Sequence, residues 1–326
     1  MPFARSLIGF LIMVVVCCGI EPVSAQSYPS RPIRFLLPYS PGGSYDALAR
    51  MIGQALHERW GQQVVIDNRP GAAGRIGAEM VVKSTPDGYT IAMFGNNQSI
   101  VPSVYVNVPY DLERDFAPVT LVATIAQVLV VHPSVPAKST AELIALVKAK
   151  PGQLNFGSGG TGGITHLAGE QFKSMAGINL VHVPYKGSAP AMIDLLAGQV
   201  QTMLLNMLNA VPHVKSGKLR GLAVTSLKRS RYAPELPTLD EAGLKGYDIE
   251  EWYGVLTPAK APREIVVRLH GELVKIMNSE EMRAQLIKQA AEAVTSKTPV
   301  DFAAFLKADR AKYAKIVKDA GIRPEQ

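Results

Sequence analysis

From Ile33 onward, short apolar runs alternate with segments whose apolar residues recur three and four positions apart. Ile33–Leu37 reads as a parallel strand covered on both faces. Leu48, Met51, Ile52, Ala55 and Leu56 follow at helical spacing until Gly61 stops them. Val64–Ile66 is a second strand, the stretch RPGAAGRIGAEMVVKS turns into a second helix, and Tyr89–Phe94 follows a TPDG turn as a third strand. Strand–helix–strand repetition of this kind predicts an α/β unit with right-handed crossovers.

A second unit follows. Val119–Val131 is a long β-type run leading through HPSVPAKS, the expected hinge strand. Ser139 and Glu142 stand at capping-box spacing for a helix to Lys150. Then come a strand at Leu154–Phe156, a glycine-rich loop, and a helix carrying Leu167, Ala168, Phe172 and Met175 that Gly177 ends. Strand Leu180–Val183, helix Ser188–Leu196 and strands Val200–Leu205 and Leu222–Thr225 complete the unit. Tyr247–Pro262 reads as a second extended crossing, and helical stretches Arg263–Met277, Glu280–Ala290 and Val300–Asp319 return to cover the first half. Two connections between two α/β halves predict a hinged clamshell. One domain takes 26–127 with 251–326, and the other takes 128–250.

The ends change this picture. Arg5, the apolar stretch Leu7–Ile20 and the small-residue site Val23-Ser24-Ala25 read as a cleavable secretory leader, with the mature chain beginning near Gln26. Both cysteines, Cys17 and Cys18, fall inside it, so the mature chain is expected to offer no disulfide or thiolate metal ligand. About 300 residues remain, enough for two cores. The mature chain is expected to be exported. The net charge of +7 survives leader removal, which takes one Arg and one Glu. The basic residues are scattered, with SLKRSRY (Ser226–Tyr232) the one small cluster, so a nucleic-acid partner is not expected.

Two glycine-rich loops carry the candidate chemistry: PYSPGGSYDALAR after the first strand and LNFGSGGTGGITHLAGEQF in the second unit. Gly157, Gly159 and Gly162 formally satisfy G-x-G-x-x-G, but the next strand runs into VHVPYKG with no ribose-binding acid. No G-K-[ST] follows either, so no nucleotide cofactor is expected. Ser40, Ser44 and Ser158 lie outside any G-x-S-x-G, and His166 with Glu170 lacks the second histidine of a zinc motif, so no metal is expected. The reading with a mechanism is anion capture. Helix first turns carry unpaired N–H groups and a positive dipole end, and glycine lets a carboxylate approach closely. Asp46 either complements the dipole of its own helix or favours a ligand with a donor group. Asn96, Asn97 and Gln98 follow the third strand as loop residues that reach the cleft or merely populate its rim. Trp252 and Tyr253 read as core or hinge packing rather than a ligand platform. An exported hydrolase with a spatially assembled site stays open as the alternative, and a receptor for peptide C-termini as a weaker one.

The same stretches resemble a known family. YPSRPIRFLLPYSPGGSYDALAR, VVIDNRPGAAGRIGAEMV, the second glycine loop, VHVPYKGSAPAMIDLLAGQV and the segment from GKLRGLAVTSLKRS to YDIEEWYGVLTPAKAP look like the Bug family, extracytoplasmic solute receptors of tripartite tricarboxylate transporters. The similarity spans Tyr28 to about Gly321. It implies a type II periplasmic-binding-protein (Venus flytrap) fold, a non-catalytic role and a monomer. The implied partners are a small organic acid (dicarboxylate, amino acid or aromatic acid) and a membrane permease. Carried over by motif, the ligand carboxylate would lie between Ser40, Gly42, Gly43 and Asp46 on one side and Ser158, Gly159, Gly160, Thr161, Gly162 and His166 on the other; Ser44, Tyr45, Asn96 and Asn97 complete the candidate ligand-binding residues. The chain departs from the family pattern at Tyr45, at Gln201 and Leu205, and over Phe94–Ser99. These departures leave the carboxylate clamp intact and bear on the specificity-determining end, where Tyr45 is expected to tune ligand shape by stacking on an aromatic or flat acid.

Overall fold

The structure, a computed structural model, describes residues 28–324; the leader and the mature start near Gln26 lie outside them. Strands β1 (Ile33–Leu37), β2 (Val64–Asn68) and β3 (Thr90–Phe94) alternate with helices α1 (Ser44–Trp60) and α2 (Arg75–Val82). β1 lies between β2 and β3, parallel to both. Arg34 interrupts the apolar run of β1 without breaking it, because its Nε donates to Asp67 on β2 at 2.7 Å. Leu48, Ile52 and Leu56 of α1 are buried against this sheet, as their spacing requires.

β4 (Phe116–Val131) is the structural spine. Its first part pairs with β9 (Glu250–Pro258), which pairs in turn with β3; its last residues pair with β7 (Thr202–Asn206) and β8 (Arg220–Val224). Beyond β7 lie β5 (Asn155–Ser158) and β6 (Val181–Pro184), parallel to one another. Among the described residues the order is β2-β1-β3-β9-β4-β7-β5-β6, so two α/β sheets share one long strand. A two-residue strand, β10 (Glu292–Ala293), adds to β4. The second sheet is flanked by α4 (Thr140–Ala149), α5 (Ile164–Ala176) and α6 (Ser188–Leu196). Ser139 caps α4 by accepting the Glu142 N–H, while the Glu142 carboxylate reaches back to Lys138 N–H instead of that of Ser139.

Three differences from the sequence reading bear on function. Asn96–Val104 is helix α3, where a loop was expected, and Met207–Lys215 is a further helix, α7, on the second sheet. The tail helices α8 (Arg263–Asn278) and α9 (Glu280–Lys288) do return to the first half, but α10 (Pro299–Asp319) serves both. Its Phe302 and Leu306 pack with Phe94 and Trp252, whereas its Tyr313, Ile316 and Val317 join the core around Phe156 and Leu167.

Candidate functional site

The first glycine loop joins β1 to α1. Gly42 adopts a left-handed φ of 83°, and its N–H donates to Asp46 Oδ2 at 3.0 Å. Asp46 is buried, and Arg50, one turn on, grips both of its oxygens at 2.9 and 3.0 Å. The Arg50 guanidinium holds the Asp46 carboxyl below its ordinary range. Asp46 therefore ties the loop to the first turns of α1. Gly43 is the N-cap of α1, and among the described residues no protein acceptor takes the N–H of Ser44, Tyr45 or Asp46. Ser40, Gly42 and Gly43 are exposed beside them.

The second loop is more heavily wired. Gly159 N–H donates to Thr165 Oγ1 at 2.9 Å, Gly160 N–H to Ser158 Oγ at 3.2 Å, and Gly162 N–H to His166 Nδ1 at 3.0 Å. Ser158 is sealed from solvent, its Oγ 2.6 Å from His182 Nε2, and the His182 ring stacks on that of His166 at 3.9 Å. Burial first, then the neighbouring His166, push His182 down to about 4. His182 is thus neutral, and Ser158 can donate to it while accepting from Gly160. The glycine amides are spent on the loop itself. Among the described residues no protein acceptor takes the N–H of Thr161, Ile164 or Thr165, and α5 begins at Gly163 without a side-chain cap. Thr161 and the first turn of α5 thus carry the open N–H donors of this loop. Gly162 abuts Val104 at the end of α3, so this loop meets the other half of the molecule.

Beside the first loop, β9 supplies a polar cluster that the sequence reading missed. The Tyr253 hydroxyl lies 3.0 Å from both Ser44 Oγ and Glu251 Oε2, and Asn206 Nδ2 donates to the same carboxylate oxygen at 2.8 Å. Asn206 also caps α7 by accepting the Leu208 N–H. An unbroken chain of hydrogen bonds thus runs from the first loop to the second sheet. Burial raises the Glu251 carboxyl above its usual range, opposed by the bonds from Tyr253 and Asn206. Tyr45 forms a wall nearby: Tyr39 stacks on its ring at 3.7 Å and 16°, Tyr253 approaches at 4.4 Å, and its hydroxyl donates to the Trp252 carbonyl. One face of the Tyr45 ring is therefore taken by Tyr39. Only glycine fits at Gly95, where a Cβ would overlap the Tyr45 hydroxyl.

The sequence profile described as "Tripartite tricarboxylate transporter family receptor" matches residues 48–322. The chain belongs to this receptor family. Its relatives include BugT of Bordetella pertussis, 34% identical over 97% of this chain and 98% of that protein. Among solved structures, R. palustris Rpa4515 with adipate is 36% identical with a TM-score of 0.80, covering 91% of this chain and all of that one. The periplasmic binding protein BugD is 33% identical with a TM-score of 0.77 over 91% of this chain and all of its own. MatC of Rhodopseudomonas palustris, with bound malate, is 26% identical with a TM-score of 0.75, over 89% of this chain and all of that one. The receptor has the mixed α/β periplasmic-binding-protein fold, and its family binds solutes rather than transforming them.

In this receptor the sequence-derived candidates fall into two groups. Ser40, Gly42, Gly43, Ser44, Gly159, Gly160, Thr161 and Gly162 lie on the two loops, partly or fully exposed. Asp46, Asn96, Ser158 and His166 are buried and bonded within the protein. Asn96 is the most committed: Nδ2 donates to the Glu250 carbonyl and Tyr313 hydroxyl, both at 2.9 Å, and Oδ1 accepts Trp252 N–H. Asn97 stays half-buried with no side-chain partner among the described residues. Gln98 accepts from Tyr39 and Gly95. Ser158 and His182 stand at nucleophile–base distance. In a receptor family this contact is structural, and no carboxylate bonds the far nitrogen of His182 among the described residues.

Proposed function

We propose that this receptor captures a small carboxylate in the periplasm, after export and cleavage near Gln26, and delivers it to a membrane permease of the tripartite tricarboxylate type. The two lobes, 26–127 with 251–326 and 128–250, close on the ligand about β4 and the crossing into β9, and the receptor works as a monomer. The ligand is a dicarboxylate, an amino acid or an aromatic acid. Its carboxylate sits between the first turns of α1 and α5. The observation that carries this reading is that both helices start at an uncapped glycine, Gly43 and Gly163, at the C-terminal ends of β1 and β5. Open α/β sheets place ligands at such strand ends.

The energetics fit a receptor that must also release. A charge-assisted bond from N–H to carboxylate contributes roughly 1.5–3 kcal/mol net. A few of them, less the cost of closure, give about −8 kcal/mol, a micromolar affinity. Asp46, Ser158 and His166 act on the loops rather than on the ligand, and Tyr45 with Tyr39 bounds the cavity. The adipate bound by the 36%-identical relative supports an organic acid as cargo. A thermal-shift panel of di- and tricarboxylates, amino acids and aromatic acids, followed by calorimetry on the hits, tests the reading. Stabilisation by at least one acid and by no neutral analogue is expected. A panel without a single hit defeats the proposal.

A further inference from the structure

The strand β9, bonded to the first loop through Tyr253 and Ser44, holds a carboxyl group without a counter-ion among the described residues. Glu251 Oε2 accepts from Asn206 and Tyr253, while Oε1 has no protein partner among the described residues and is not sealed from solvent. No Lys, Arg or His pairs with Glu251 among the described residues; the titratable groups around it are the phenols of Tyr39, Tyr45 and Tyr253. Gln127 lies in register with Asn206, so the two side chains share a sheet face, and its amide is buried with both polar atoms unpartnered. Each of these groups sits between the lobes: Ser44 on the first loop, Asn206 at the end of β7, Glu251 on the strand that joins them.

A carboxylate receptor gains nothing from a bare acid in its cleft unless the acid meets something on the ligand. Two carboxylates facing one another repel, and one of them must take up a proton. A cation or strong donor on the ligand removes that conflict and satisfies Oε1. Asp46, the other candidate for this task, is already neutralised by Arg50. We infer that Glu251 selects carboxylates that carry a positively charged nitrogen at the far end, and disfavours simple diacids of the same length.

This inference rests on the carboxylate reading of the same site, and the test separates the two. Calorimetry at pH 7.5 compares matched pairs of increasing length: succinate with 4-aminobutyrate, glutarate with 5-aminopentanoate, adipate with 6-aminohexanoate. In the best-fitting pair the amino acid should bind at least tenfold more tightly than its diacid. Glu251→Gln, which keeps the shape and the bonds to Asn206 and Tyr253, should bring that ratio within threefold or invert it. A wild-type preference for the diacid overturns the inference while leaving the carboxylate reading intact. A preference that survives Glu251→Gln also overturns it. If no ligand of either series binds and the wider acid panel is silent too, the carboxylate reading falls, and this inference with it.

Discussion

The Asn96 side chain accepts the backbone N–H of Trp252 at 3.0 Å while donating to Glu250 and Tyr313. One carboxamide thereby ties the start of α3 to the crossing strand and to the C-terminal helix, and it is 2% exposed. Asn96→Ala leaves a buried carbonyl, hydroxyl and N–H without their partners, so a loss of about 3 kcal/mol is expected. Urea unfolding with an unchanged m-value checks it. Asn96→Asp should be nearly as damaging, because a carboxylate cannot donate to Glu250.

Gly43 and Gly159 separate binding from folding. A Cβ on Gly43 meets nothing closer than the Ser40 carbonyl at 3.9 Å, and φ is −83°, so Gly43→Val should cost under about 1 kcal/mol. Its side chain nevertheless covers the first turn of α1, and affinity for the cognate acid should fall at least a hundredfold. At Gly159 a Cβ would lie 2.7 Å from Ser188 Oγ and 3.0 Å from Ser188 N. Gly159→Val should therefore lose about 1–3 kcal/mol of stability as well as binding. Calorimetry paired with thermal melts distinguishes the two outcomes.

The raised carboxyl of Glu251 has a pH consequence in the unliganded protein. The unfolded chain ionises first as pH rises, so the stability this group contributes is present at acid pH and lost as pH climbs through its folded value. Glu251→Gln should raise the melting temperature at pH 8, and the gain should fade toward pH 4. A gain that stays constant across that range counts against the buried, uncompensated charge.

His182 works in the opposite direction. Its folded value of about 4 lies below that of a free imidazole, so the unfolded chain takes the proton first as pH falls. Stability should be full above about pH 6.5 and decline toward pH 4. His182→Asn should lower the melting temperature at neutral pH by removing the contact with Ser158, and should shrink the decline over that window. Melts at half-unit pH steps read both effects.

Much of this architecture is legible in the chain. Leu48, Ile52 and Leu56 mark α1, Ser188–Leu196 was delimited to the residue, and the long β run proved to be the shared strand. The two helices that were missed, α3 and α7, each contain a proline, Pro102 and Pro212, that reads as a breaker. Both are short and are held by packing: Ile100 and Val104 of α3 are buried against the second core. The glycine loops themselves were visible, but the direction of their side chains was not. Ser158 turns inward because His182, 24 residues on, lies under it. Glu251 and Asn206 meet because Ile125 and Gln127, two residues apart on β4, pair with one and the other. Register of that kind is set by the assembled sheet and leaves no local mark.

The C-terminal helix gives release of cargo a mechanical aspect. Phe302 and Leu306 of α10 are anchored in one lobe and Ile316 and Val317 in the other, with Tyr313 bonded to Asn96 between them. Any separation of the lobes must therefore slide this helix along one of its seats or carry it bodily. Were the lobes to part as proposed, such a tether would act as a spring in parallel with β4 and limit the amplitude of opening from a place remote from the two glycine loops.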